Sequence, residues 1–310
     1  MPRQPDAPGM DGVLVVAKPA GPTSHDVVAL VRRLASTRRI GHGGTLDPFA
    51  SGVLPLFLGQ ATRLVEYHLG DEKTYRATMC FGSTSTTDDL DGELTPADGP
   101  APNEAAVVEG LAGFLGPQLQ QPPPYSAVQI GGRRAYKIAR SGEIPELSPR
   151  AVTIHQLDLV AWDDSDPSRP IAEVDVRCSA GTYVRAIARD LGERLGSGAY
   201  LCGLVRTGSG PFRIENAVTL DTLRDAAASG PDGVRPLLLA SDFGLDEIPR
   251  IHLSDGEISD ASMGRFIRPE AGIGEAPDDG PIRLVDGNGR IVGMGRLDGR
   301  RVAPTKMLLG

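Results

Sequence analysis

Val13 to Ala17 is an unbroken apolar run with three valines, the pattern of a buried strand. Thr23 and Ser24 then offer a helix N-cap, and Val27, Leu30, Val31 and Leu34 recur at helical spacing behind them. A second apolar run, Val53 to Leu58, predicts another strand. Between helix and strand, Gly41 to Gly52 is glycine-dense, holds Pro48 and fits neither periodicity, so it reads as a loop. From Thr74 to Phe81 the chain alternates, with Tyr75, Ala77, Met79 and Phe81 on the apolar face. Gly82 to Pro102 is polar and turn-rich, and a helix is expected near Glu104 to Leu115. Glu173 to Cys178 alternates again, and after the turn Ala180-Gly181 a helix presents Val184, Ile187, Ala188, Leu191 and Leu195 on one face. Past Pro249 the apolar runs shorten (Arg250 to Leu253, Ile282 to Val285, Ile291 to Met294), predicting a small β-rich domain.

The expected fold is α+β, a mixed and mainly antiparallel central sheet with flanking helices, followed by the small β-rich domain. A disordered start covers residues 1–10, the main domain 11–246 and the second domain 247–310. Within the main domain, Pro122, Pro123 and Pro124 stiffen the way into an insertion at about 122–150, expected to be mobile.

Composition narrows the function. With 310 residues and 40% hydrophobic content the chain can bury a real core. No apolar run reaches the roughly 18 residues of a membrane-spanning helix, and the first residues lack a signal peptide's apolar centre, so a cytoplasmic protein is expected. Cys80, Cys178 and Cys202 are too few and too widely spaced for a disulfide framework or a zinc site, and are expected to be reduced. The net charge of −8 argues against a general polyanion binder, but the charge is segregated. Arg32, Arg33, Arg38 and Arg39 form one basic window, and Arg133, Arg134, Lys137 and Arg140 another. Acidic residues such as Asp88, Asp89, Asp91 and Glu93 gather elsewhere. Two basic windows on one face would hold a phosphate backbone; separately they are solvated helix faces.

The chemistry centres on Gly41-His42-Gly43-Gly44-Thr45-Leu46-Asp47-Pro48. Pro48 biases Asp47 toward an extended backbone, presenting one carboxylate on a fixed loop. Taken alone, that pattern fits an Asx turn as well as a positioned acid. The run Gly41 to Leu54 also resembles the catalytic motif of the TruB family, the bacterial tRNA pseudouridine synthases. The resemblance extends to Lys18-Pro19-Ala20-Gly21 with Thr23-Ser24, Lys73-Thr74-Tyr75-Arg76, and Thr84 to Asp88. Pro123 to Ala127, Gly181 to Arg185 and Gly198 to Thr207 also match, so the motifs run in order over roughly residues 12 to 213. Gly43 and Gln129 depart from the family pattern, and the last segment resembles its PUA-like RNA-binding domain only weakly.

That resemblance implies an enzyme that isomerises the T-loop uridine at tRNA position 55 to pseudouridine, bound to the tRNA T stem-loop; no exposed heptad pattern points to more than a monomer, so a monomer is expected. The C1′–N1 bond breaks and C1′ rejoins C5 without redox change, so no cofactor and no metal is expected. The reaction needs an ionised carboxylate, and Asp47 takes that role. Burial raises a carboxyl pKa and a nearby cation lowers it. Arg185, in a helix first turn where a positive charge is unfavourable, is the expected partner. By resemblance Tyr75 stacks on the uracil and is a candidate base for the departing proton, and Leu204 closes the other side. His42 is expected to fill the space the flipped base leaves. Lys18, Lys73, Arg133 and Arg134 are expected to contact RNA. Ser24-His25-Asp26 is no triad, since neighbours at a helix start diverge, and Thr87 to Asp98 departs from a calcium loop at both ends. Two rivals stand beside this reading: a relative that modifies another RNA uridine, and an RNA-binding protein that kept the scaffold without the chemistry.

Overall fold

The structure is a computed structural model that describes residues 9–126, 128–269, 272, 280–299 and 301–308, leaving out the side chains of Arg134, Lys137 and Arg140. The first part runs β1 (Gly12–Lys18), α1 (Ser24–Leu34), β2 (Ile40–His42), β3 (Ser51–Leu58), a 3-10 stretch Gly59–His68, β4 (Lys73–Phe81), β5 (Ser83–Ser85) and β6 (Leu94–Pro96). Next come α2 (Glu104–Ala112), β7 (Gly116–Gln120), β8 (Gln129–Ile130), β9 (Arg133–Arg134) and α3 (Ala135–Arg140). β10 (Arg150–Asp163), β11 (Ile171–Cys178), α4 (Val184–Leu195), β12 (Ala199–Ser209), β13 (Phe212–Arg213) and α5 (Leu220–Ala227) follow. The last segment holds β14 (Arg250–His252), α6 (Asp255–Ser262), β15 (Pro281–Val285), β16 (Ile291–Asp298) and β17 (Arg301–Met307).

The central sheet has the order β1-β3-β12-β4-β11-β10-β7, with β2 pairing β3 and β13 pairing β12. Its ladders are antiparallel except the short parallel contact of β12 with β3, as the expected mixed, mainly antiparallel sheet requires. That contact depends on Gly52 at φ 108°, where a Cβ would lie 2.2 Å from the Arg206 carbonyl oxygen. Thr23 caps α1 in a capping box with Asp26, and Val27, Val28 and Val31 bury against β1 and β3. On the other half of the sheet, Ile187, Ala188 and Leu191 of α4 pack with Ala77 and Met79 of β4 and Val174 of β11. Tyr75 and Leu204 touch both apolar clusters and so sit on the seam between them.

Several expectations need correction. Met10 is 2% exposed and belongs to the core, so order begins before residue 11; residues 1–8 lie outside those described. Cys80 and Cys202 are disulfide-bonded, and only Cys178 is free. The bond spans β4 and β12, where a register shift between Leu201 and Gly203 brings Cys202 beside the Cys80 strand. A separation of 122 residues hides that neighbourhood from the sequence. Asp88 and Asp89 of the acidic stretch are buried, at 8% and 4% exposure. β10 and β7 escape the period-two pattern: β10 has two register shifts against β11, and β7 is a polar edge strand whose Leu119 is 73% exposed.

The last segment forms its own sheet, β14-β15-β16-β17, with a cluster of Ile251, Leu253, Ile282 and Leu284. It docks on the main body through Arg283, which reaches Asp242 (3.0 Å), and Lys306, which reaches Glu66 (2.6 Å).

Candidate active site

The loop after β2 is held from three sides. Ser24 Oγ donates to the Leu46 carbonyl and accepts from the Leu46 amide, both at 2.9 Å. Lys18 Nζ donates to the carbonyls of Pro19, Pro22 and Pro48 at 2.9, 2.8 and 3.2 Å. Arg206 Nη2 and Nη1 donate to the carbonyls of Gly44 (3.1 Å) and Thr45 (3.4 Å). Loop backbone that would otherwise face water is therefore tied to α1, β1 and β12, and Asp47 stands on a fixed support.

Arg185, 4% exposed in the first turn of α4, meets two carboxylates. Its Nη2 lies 3.0 Å from Asp47 Oδ2 and its Nη1 lies 3.1 Å from Asp89 Oδ2. The same nitrogens donate to the carbonyls of Tyr125 and Thr87, each at 3.0 Å. One turn on, Arg189 Nη1 pairs with Asp88 at 2.8 Å and Nη2 donates to the Gln121 carbonyl. The unfavourable position of Arg185 on its helix is thus outweighed by two anions and two carbonyls. Burial raises the Asp47 carboxyl above its ordinary value; the Arg185 guanidinium works against that shift and Asp89 adds to it. The Asp47 side chain keeps 38% exposure, toward the cleft.

The cleft has a volume of about 260 Å³, below the roughly 300 Å³ of common small-ligand pockets. Asp47, Lys73, Tyr75, Arg185, Leu204 and Arg206 all line it. Tyr75 and Leu204 are close in the β4–β12 ladder, where Leu204 pairs with Ala77 and Arg206 with Tyr75. Burial pushes the Tyr75 phenol up to about 12, against the pull of the Arg206 guanidinium. Lys73 is 7% exposed, and its Nζ donates to the Asp71 carbonyl at 2.6 Å. A larger groove between α1 and α5, lined by Val27, Leu30 and Leu220 among others, holds none of these groups.

Other expected residues fall elsewhere. Lys18 is 1% exposed with its ammonium on three carbonyls, so it braces the loop beside Asp47, and burial lowers its pKa to about 8. His42 lies outside the cleft lining, its ring edge-on to His25 at 6.1 Å. Arg133 is exposed and pairs with Glu143 at 3.5 Å, while the Arg134 side chain lies outside the described residues. Among the described residues no group of three or more His, Cys, Asp or Glu is placed to hold a metal.

Three residues went unread. Asp89 was hidden by its acidic neighbours. Arg206 stood inside a matched motif but drew no role. Gln120 is 4% exposed, donates to the Tyr183 carbonyl (3.0 Å) and accepts from its amide (2.8 Å), fixing the backbone just before Arg185.

Comparison with known proteins decides the family. Residues 32–184 match the TruB family pseudouridylate synthase N-terminal domain and 185–245 the tRNA pseudouridylate synthase B C-terminal domain. Residues 249–308 match the pseudouridine synthase II TruB C-terminal domain. A tRNA pseudouridine synthase B of Synechococcus sp. is 44% identical over 93% of this chain and 94% of its own. The chain belongs to the TruB family. Another relative of the same name, from Thermobifida fusca, is 45% identical over 92% of this chain and 94% of its own. A solved Cbf5–Nop10–Gar1 complex contains a chain with a TM-score of 0.70 and 26% identity, covering 96% of this TruB-family protein and 85% of that chain.

Proposed function

We propose that this TruB-family enzyme isomerises uridine to pseudouridine in tRNA, at position 55 of the T loop, and that Asp47 is the carboxylate that acts on the nucleotide. The observation that carries the reading is the Asp47–Arg185 pair at 3.0 Å, opening into a base-sized cleft lined by Tyr75 and Leu204. Asp47 attacks or deprotonates while ionised, and the cation beside it favours that state. Tyr75 and Leu204 hold the flipped uracil by stacking and contact. With its phenol near 12, Tyr75 is protonated at neutral pH, so its stacking role takes precedence over that of a resting base. His42, beside the cleft, fills the stack the uridine leaves. Lys73, at the cleft wall, and Arg133 with Arg134 on the insertion are the RNA contacts of this scheme, and a monomer in the cytoplasm is its setting. Residues 11–246 act as the catalytic unit and 247–310 as a PUA-like RNA-binding unit.

The test is tritium release from tRNA labelled at uridine C5. Wild-type protein releases the label and Asp47→Ala does not. Release from Asp47→Ala at the wild-type rate removes Asp47 from the chemistry, and no release by wild type from any tRNA leaves an RNA-binding protein.

A further inference from the structure

Among the described residues Arg206 is the largest fully buried side chain, at 1% exposure, and no ion pair includes it. Burying a cation is expensive, and here the compensation comes from dipoles. Nε donates to the Val53 carbonyl at 2.7 Å, Nη1 and Nη2 donate to the Thr45 and Gly44 carbonyls, and Arg206 is the ladder partner of Tyr75 on β4. These partners belong to three separate pieces of chain: β3, the loop that ends in Asp47, and β4. Only a planar fork with five donors can reach carbonyls on the first two of these pieces while its backbone is paired to the third. The backbone of Arg206 is itself set by β12, packed against Gly52 where no Cβ fits. A leucine or methionine would fill the same volume without the desolvation cost, so packing gives no reason for the charge.

We infer that Arg206 is a positioning residue, which holds Tyr75 and the Asp47 loop at a fixed separation across the bound base. The inference rests on the function proposed above. It touches neither the reacting carbon nor a phosphate, and acts through two groups that do meet the nucleotide. A loose fit at this joint lets Asp47 and the stacked ring drift relative to each other, and a displacement near 1 Å costs about a hundredfold in rate.

Arg206→Lys keeps the charge and loses the fork; Arg206→Met loses both and has no ion left to bury. The rate-and-affinity comparison is made on whichever variant melts within a few degrees of wild type. Its single-turnover tritium release is expected to fall by roughly a hundredfold while its Kd for tRNA stays within about threefold. Because Arg206 acts partly by fixing where the Tyr75 ring stands, Tyr75→Leu is expected to cost less in the variant than in wild type. A folded variant releasing tritium within about threefold of wild type overturns the inference. So does a loss of affinity that matches the loss of rate, or strict additivity with Tyr75→Leu. Failure of wild-type protein to release tritium at all defeats the proposed function instead, so the two failures are told apart.

Discussion

Arg185 shows how one side chain can serve two carboxylates without neutralising either. Its fork meets Asp47 on one nitrogen and Asp89 on the other, with carbonyl contacts completing each. Lysine is a point charge on a flexible stem and cannot span that set. Arg185→Lys is therefore expected to lose roughly a hundredfold in turnover, about 2.7 kcal/mol, with tRNA affinity nearly unchanged. A normal single-turnover rate with weakened binding would make Arg185 a phosphate contact instead. The pH profile tests Asp47 at the same scale. Its carboxyl is raised by burial, and the proposed role needs the ionised form. Activity therefore falls as pH drops through the raised value, and the acid limb of kcat/KM lies above the ordinary aspartate value of about 3.9. An acid limb at or below that value would mean that the guanidinium prevails over burial.

Strands and helices carry these residues to one place, and the sequence tells of them unevenly. β1 and β3 were legible as continuous apolar runs, and α1, β4, β11 and α4 because each repeats its apolar positions at one period over several residues. β10 was not, since bulges shift its phase, and β7 was not, since an edge strand needs no apolar face. At the site, Asp47, Tyr75 and Arg185 were singled out by motif resemblance rather than local pattern, and the fold brings all three to one cleft. Asp89 could not, because only the fold of the segment after β5 turns it toward α4. Lys18 carried a motif match whose purpose is internal bracing, which a string of letters does not distinguish from RNA contact. The Cys80–Cys202 bond belongs to this scale as well, since it staples β4, bearing Tyr75, to β12, bearing Leu204 and Arg206. Thiol labelling of unfolded protein is expected to find one free cysteine before reduction and three after. Cys202→Ser is expected to cost about 2–4 kcal/mol of stability. Three labels before reduction would show that the strands pair without the bond.

Over the whole molecule a net charge of −8 is combined with tRNA binding. Affinity must then come from local basic surface, and Arg32, Arg33, Arg38 and Arg39 are exposed at the end of α1 and just beyond it. Counterion release makes the contribution measurable: removing one phosphate contact lowers the slope of log affinity against log salt by about 0.7 to 0.9. Arg32→Ala with Arg33→Ala is expected to reduce that slope by roughly one to two while leaving the rate on saturating tRNA unchanged. An unaltered slope would mean that this window does not touch RNA.

The insertion joins the body at Gln120, Gln121 and Tyr125, each bonded to α4 or to the residue ahead of it, and Tyr125 shares an arginine nitrogen with Asp47. Tolerance to change should therefore divide sharply along this arm. Past Ser126 it can be lengthened, shortened or exchanged to suit a different RNA, at little expense to the chemistry. Up to Tyr125, a one-residue slip would drag the counter-ion away from its acid, so new specificities grafted onto this scaffold have to begin beyond that point.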